Sequence, residues 1–114
     1  MDSVEMLLLF DYYGDMLTER QRMCLDLRYN QDLSLAEIAG ELGVSRQGVH
    51  DNLLRTEALL QNMEEKTGCV RRDLACRKAS GKILRLAQQL AGHDNKTVSD
   101  LAQQIIAEAE GLEE

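Results

Sequence analysis

Apolar residues along this 114-residue chain recur at steps of three and four, and nowhere do they alternate with polar ones over the length of a strand. Met6, Leu9, Phe10, Tyr13 and Leu17 form the first stripe, which predicts an amphipathic helix over residues 4–17 with Gly14 near its end. Thr18 and Gln21 stand at the spacing of a capping box, in which the N-cap hydroxyl and the third helical side chain each satisfy the other's backbone amide. A second helix should therefore run over residues 18–29, with Gln21, Cys24, Leu25, Arg28 and Tyr29 on one side and residues 30–32 as the turn. Ser34 and Glu37 repeat the device ahead of a short helix whose inner face is Leu35, Ile38, Ala39 and Leu42, and Gly43 stops it. Ser45 caps the next helix, in which Val49, Leu53, Thr56 or Glu57, Leu60 and Met63 keep the step.

Beyond Gly68 the pattern continues through Val70, Leu74, Ile83, Leu86 or Ala87, and Leu90, with a weak interruption at Ser80 and Gly81, as one long helix or two stacked pieces. Residues 92–96 read as a loop. Thr97 and Asp100 open a last helix with Val98, Leu101, Ala102, Ile105 and Ala109 inward, and Glu113 and Glu114 should fray. Proline is absent, so nothing in the chain forbids these helices. The fold class is all-α.

Charge narrows the function. Thirteen basic residues against 20 acidic give a net charge of −7, so a diffuse pull toward phosphate is absent and any nucleic-acid contact needs a local basic patch. One Phe, three Tyr and no Trp make stacking on single-stranded bases a poor main mode of action. The acids Asp2, Glu5, Asp11 and Asp15 crowd the first 15 residues, whereas Lys66, Arg71, Arg72, Arg77, Lys78, Lys82 and Arg85 meet only Asp73 over residues 66–85. Arg71, Arg72, Arg77 and Lys78 fall at spacings spread around a helix, which reads first as a solvated face and second as a contact for RNA phosphate or an acidic partner.

Cys24, Cys69 and Cys76 form no C-x-x-C pair, and with only His50 and His93 beside them no metal-ligand spacing arises; no metal and no cofactor is expected. Cys24 belongs to an apolar face, and Cys69 and Cys76, two helical turns apart, read as core or interface thiols. The unpatterned count suits a reducing cytoplasm. The apolar run over residues 6–10 is too short to span a bilayer and follows acids rather than lysines, so neither a signal peptide nor a membrane partner is expected. No acid and base pair on one face and no glycine-rich phosphate loop is visible, so the reading is not an enzyme.

The segment from Leu35 to Val49 has what a helix-turn-helix needs. Ala39 lets two helices cross closely, Gly43 takes the left-handed conformation of a tight turn, and Val44 and Val49 are placed to lock the second helix. Here the chain resembles region 4 of bacterial sigma factors over Leu17–Thr56, and more closely the YlxM (UPF0122) family of small bacterial proteins over residues 7–66. The stretches that carry the resemblance are Phe10-Asp11-Tyr12-Tyr13, Leu17-Thr18-Glu19-Arg20-Gln21, Asp32-Leu33-Ser34-Leu35-Ala36-Glu37-Ile38-Ala39, Val44-Ser45-Arg46-Gln47, Asp51-Asn52, Arg55-Thr56-Glu57 and Glu64-Glu65-Lys66. It implies a sigma-region-4-like helix-turn-helix bundle with an N-terminal helix over residues 1–66, the motif itself over about 34–56; residues 67–114 carry no matching motif and are expected from their periodicity alone to be a helical extension that dimerises. It also implies a regulatory or accessory part in the signal recognition particle pathway, because the family's genes neighbour that of the particle's GTPase, and no enzymatic activity.

The resemblance to region 4 places the nucleic-acid contacts at Ser45, Arg46, Gln47, His50 and Arg55, with Arg46 and Gln47 at the helix start where base edges are reached. Gly48, His50 and Asp51 stand where such helices carry further basic or amide groups. The plain alternative makes Arg46 and Gln47 solvated helix-start residues and His50 a partly exposed helix residue. The expected partners are DNA or RNA, components of the signal recognition particle, and a second copy of the chain, since the stripes of the first helix and of residues 70–90 exceed what one three-helix core covers. The competing function is a protein-interaction adaptor that keeps the fold without binding nucleic acid.

Overall fold

The structure, a computed structural model, describes residues 2–112, and among these it contains six α-helices and no strand. They fall into two compact units, the first ending at Val70 and the second beginning at Arg71.

In the first unit, α1 (Ser3–Tyr13) is capped by Asp2, whose carboxylate accepts the Glu5 N–H at 2.8 Å. The helix stops short of Leu17, the end of its apolar stripe. Gly14–Met16 tighten into a 3₁₀ turn and Leu17 is extended, yet the Leu17 side chain stays buried. That extended residue frees Thr18 to cap α2 (Glu19–Leu25), where both halves of the capping box form at 2.9 and 3.2 Å. Gly14 is needed for proximity rather than for torsion: a Cβ there would lie 2.8 Å from the Phe10 ring.

The second helix does not continue as α to residue 29. Asp26–Asn30 widen into a π turn closed by the Gln31 N–H on the Asp26 carbonyl at 3.1 Å, and the Asp26 carboxylate accepts from the side-chain amides of both Asn30 and Gln31. Arg28, expected on the inner side, donates to the Leu33 carbonyl at 3.0 Å from an exposed position, while Leu27 takes the buried place. Asp32 then adopts φ 55°, a left-handed turn position that Asp tolerates better than most side chains.

Ser34 caps α3 (Leu35–Leu42) through a second complete capping box at 3.1 Å in each direction, and the hydrogen bonds from Ser34 hold the Glu37 carboxyl below its ordinary pKa. Gly43 ends the helix at φ 68°. The amides of Gly43 and Val44 both return to the Ala39 carbonyl, the latter at 3.2 Å, which closes the turn. From Ser45 the long α4 (Arg46–Thr67) runs on, and α1, α2 and α3 all pack against it. Met6, Leu25, Ile38, Val49 and Leu60 are at most 2% exposed and form the centre of the core, each contributing about 1.5–3 kcal/mol of burial. Thr56 rather than Glu57 faces inward, its hydroxyl bonded to the Asn52 side chain. Val44 does not lock the second helix; it is 41% exposed, whereas Val49 is buried in the same core cluster as Ile38. Cys24 is buried, which raises its thiol pKa. The stripe of α1 is likewise covered within the chain.

The second unit is built from α5 (Cys69–Ala91), whose first two residues belong to the first unit, and α6 (Lys96–Gly111). Helix α5 is unbroken at Ser80 and Gly81: the Ser80 hydroxyl turns back onto the Arg77 carbonyl at 3.3 Å and Gly81 stays helical. Asn95, two residues ahead of the expected Thr97, caps α6 by accepting the Val98 N–H at 3.2 Å. Ser99 donates to the Ala91 carbonyl at 2.8 Å and sets the antiparallel register of the pair. The buried positions are small, Ser80 and Ala87 on α5 and Ala102 and Ala109 on α6. Leu74, Ile83, Leu90, Leu101 and Ile105, expected inward, are instead 42–55% exposed, and of the alternatives Leu86 and Ala87 it is Ala87 that is buried. Cys69 and Cys76 are exposed and not core thiols. Glu113 and Glu114 lie outside the described residues.

Candidate nucleic-acid interface

The outward face of α4 is fixed by what its inward face buries. With Val49 and Leu53 in the core, residues at helical steps between them must point away, and Arg46, Gln47, His50, Asp51, Leu54 and Arg55 are all exposed. The Ser45 hydroxyl accepts the Gly48 N–H at 3.0 Å, so Ser45 spends its side chain on starting the helix. A Cβ on residue 48 would stand 3.1 Å from that hydroxyl, a close approach to the capping side chain.

The site residues expected from the sequence divide into two places. Arg46, Gln47 and His50 line one shallow depression, closed on its other side by Leu35 at the start of α3. Arg55 lines a second with Asp51, Asn52, Gly48 and the capping pair Thr18 and Gln21 of α2. Leu35, Thr18 and Gln21 acquire a part in this surface that their cap and core patterns conceal in the sequence; only the packing of α2 and α3 on α4 brings them there. Arg20 is another such residue, donating to the Leu42 carbonyl at 3.5 Å and so placing a cation at the exposed C-terminal end of α3.

The wrong-sign charge on this face has a partner. Gln47 Nε2 donates to Asp51 Oδ1 at 3.0 Å, one turn along the helix, with both residues exposed. Such an i,i+4 pair is worth about 0.2–0.5 kcal/mol, against about 1–3 kcal/mol for a bidentate amide on adenine. A bond this weak leaves the Gln47 amide able to exchange partners. What the arrangement offers is a helix end with a guanidinium and an amide in front, an imidazole beside them and a second guanidinium farther along the helix.

Two capped helices joined by a three-residue turn with a left-handed glycine, the second presenting its first turns outward, define a helix-turn-helix protein. The chain belongs to the UPF0122 family, described as "Putative helix-turn-helix protein, YlxM / p13 like", which matches residues 1–103. It is 50% identical over 86 residues to a UPF0122 protein of Acetivibrio thermocellus, a match covering 75% of this chain and 74% of that protein. UPF0122 proteins of Desulforamulus reducens and Halalkalibacterium halodurans are 57% and 53% identical over 63 and 64 residues, covering 55% and 56% of this chain and 54% and 59% of theirs. These two matches thus span a little over half of each relative. No helix among the described residues is long and apolar enough to cross a membrane, and no group of three or more His, Cys, Asp or Glu among them is arranged to hold a metal ion.

Proposed function

We propose that the protein binds nucleic acid by setting the start of α4 into a groove, as a small regulatory or accessory protein. The observation that carries this reading is the exposure of Arg46, Gln47 and His50 around one depression at the start of a helix whose inner face is held rigidly by Val49 and Leu53. Arg46 and Gln47 reach base edges, and Arg55, farther along the helix, serves phosphate. Duplex DNA suits the geometry better than duplex RNA, whose deep, narrow major groove excludes side-chain readout. The family's resemblance to proteins encoded beside the signal recognition particle GTPase supports an accessory part in that pathway, in the cytoplasm.

A second reading keeps the fold as a protein-interaction adaptor, and the mixed charge of the α4 face, with Asp51 among the basic groups, favours it. A homodimer accompanies either reading: Ile83, Leu101, Ile105 and Leu112 border an open apolar cleft between α5 and α6 that a second copy would cover. Sedimentation showing only monomer at about tens of micromolar, a range typical of weak dimers, removes the dimer. Fluorescence anisotropy on a randomised DNA duplex and on a structured RNA, at low salt, tests the main reading. Binding of either by the wild type supports it. Binding of neither by the wild type or by Asp51→Asn makes the adaptor the leading account.

A further inference from the structure

Because α5 is one helix through Ser80 and Gly81, its charges have a fixed angular order. At 3.6 residues per turn, Arg71, Lys78, Lys82 and Arg85 fall within about 60° of arc and extend over about 21 Å of axis. All four are exposed, and Gln89 continues the line with an amide. The buried Ser80 and Ala87 lie on the opposite side of the helix, so the packing that fixes α5 turns this line outward. Asp73, the one acid in residues 71–91, is also away from it and pairs with Arg77 at 3.2 Å. The run that looks dispersed when only Arg71, Arg72, Arg77 and Lys78 are considered becomes a straight ridge once Lys82 and Arg85 are joined to it.

We infer that this ridge is a second nucleic-acid contact, a seat for the phosphate backbone of a duplex that is independent of the α4 surface and carries no sequence preference. A duplex presents a negative charge about every 1.7 Å of axis, so about a dozen phosphates pass along 21 Å of helix. The ridge matches that continuous, featureless charge. A protein partner would demand something else, because stable protein interfaces anchor on aromatic side chains and desolvated pockets, and residues 71–91 contain no aromatic residue. Lysines and arginines on a solvated ridge act through counterion release, which makes the binding strongly salt-dependent.

The test is a charge-matched pair of full-length variants, Lys82→Gln/Arg85→Gln on the ridge and Arg72→Gln/Arg77→Gln off it. Anisotropy titrations use a mixed-sequence 24-base-pair DNA duplex and an RNA duplex of equal length, across a series of salt concentrations. All four residues are exposed, and circular dichroism checks that both variants keep the wild-type helix content. The ridge variant is expected to lower the slope of log K against log salt by about 1.8 on whichever duplex is bound, at about 0.9 for each phosphate that is no longer neutralised. The off-ridge variant should leave the slope close to wild type. Equal changes in the two variants would mean net charge alone and would overturn the ridge; so would an unchanged slope in both, the absence of binding to both duplexes, or binding of polyglutamate in place of nucleic acid. Repeating the pair in an Arg46→Ala background separates the two surfaces, since the ridge keeps its slope change there even if α4 contributes nothing.

Discussion

Tyr13 and Glu64 stand 51 positions apart in the chain and are joined by a 2.6 Å hydrogen bond from the phenol to the carboxylate. The phenol has one proton to give, so the Thr67 hydroxyl, also 2.6 Å away, donates to the tyrosine oxygen. The Val70 N–H donates to the same carboxylate oxygen at 3.0 Å. This cluster ties α1 to the C-terminal end of α4, and burial followed by the bond to Glu64 raises the tyrosine pKa. Tyr13→Phe keeps the ring and removes these bonds; Tm should fall by about 4–8 °C, the shift that one net hydrogen bond brings in a domain of this size. An unchanged Tm would show the cluster to be energetically neutral.

Tyr29 makes the companion bond, its phenol donating to Glu57, and burial together with that carboxylate pushes its pKa up to about 12. A raised pKa means that the folded protein holds the proton more tightly than the unfolded chain. The resulting stabilisation is complete below about pH 10, the ordinary tyrosine value, and is lost as pH rises toward 12. Urea midpoints measured from about pH 9 to 12, the range that brackets this titration, should decline more steeply for the wild type than for Tyr29→Phe. Parallel curves would contradict the assignment.

Gly43 and Gly14 are required for different reasons, and substitution separates them. Nothing lies within 4 Å of a Cβ at Gly43, so Gly43→Val meets only the torsional penalty of φ 68° and should cost about 1–3 kcal/mol. Gly43→Asn should recover much of it, since Asn tolerates the left-handed region. At Gly14, where φ is −57°, the obstacle is the Phe10 ring at 2.8 Å. Gly14→Ala should cost about 1–3 kcal/mol through overpacking, with Phe10→Leu relieving it in the double variant. Additive losses in that cycle would place the strain elsewhere.

On the proposed groove contact, Arg46→Ala should lose about 1–3 kcal/mol and flatten sequence preference, whereas Arg55→Ala should weaken all sequences alike and reduce the salt slope by about one. Asp51→Asn removes a negative charge from the same face and should strengthen binding to any duplex. Competition among DNA sequences, read by anisotropy, distinguishes these three outcomes. Loss of preference from Arg55→Ala alone would reverse the assigned roles.

Much of the helix-turn-helix is legible in the sequence because its signals are local. Thr18 with Gln21, Ser34 with Glu37, and Gly43 each act within a few residues, and the structure places all three where the spacing puts them. Arg20 on the Leu42 carbonyl and Tyr13 on Glu64 act across 22 and 51 positions, and no local pattern encodes such reach. In the second unit the periodicity identifies the helices and the buried Ala102 and Ala109, but it also assigns the interior to Ile83, Leu101 and Ile105, which are exposed, and passes over Ser80, which is buried. The division of the α4 residues between two depressions is equally hidden, since it depends on where Leu35 and Thr18 arrive.

The π turn at Asp26–Asn30 bears on which changes in chain length the protein withstands. One extra residue is accommodated there, and the Leu33 N–H to Leu27 carbonyl bond at 3.0 Å and the Arg28 bond to the Leu33 carbonyl are both set in that widened frame. Deleting a single residue from this stretch would restore ordinary α winding, yet it would draw Leu27 out of the core and break the Leu33 to Leu27 bond that leads into α3. The turn over residues 92–95, by contrast, is exposed throughout and can lengthen at small entropic cost. Insertions and deletions therefore meet opposite fates at the two turns: the narrow connection before α3 acts as a ruler for the first unit, and the one before α6 leaves slack.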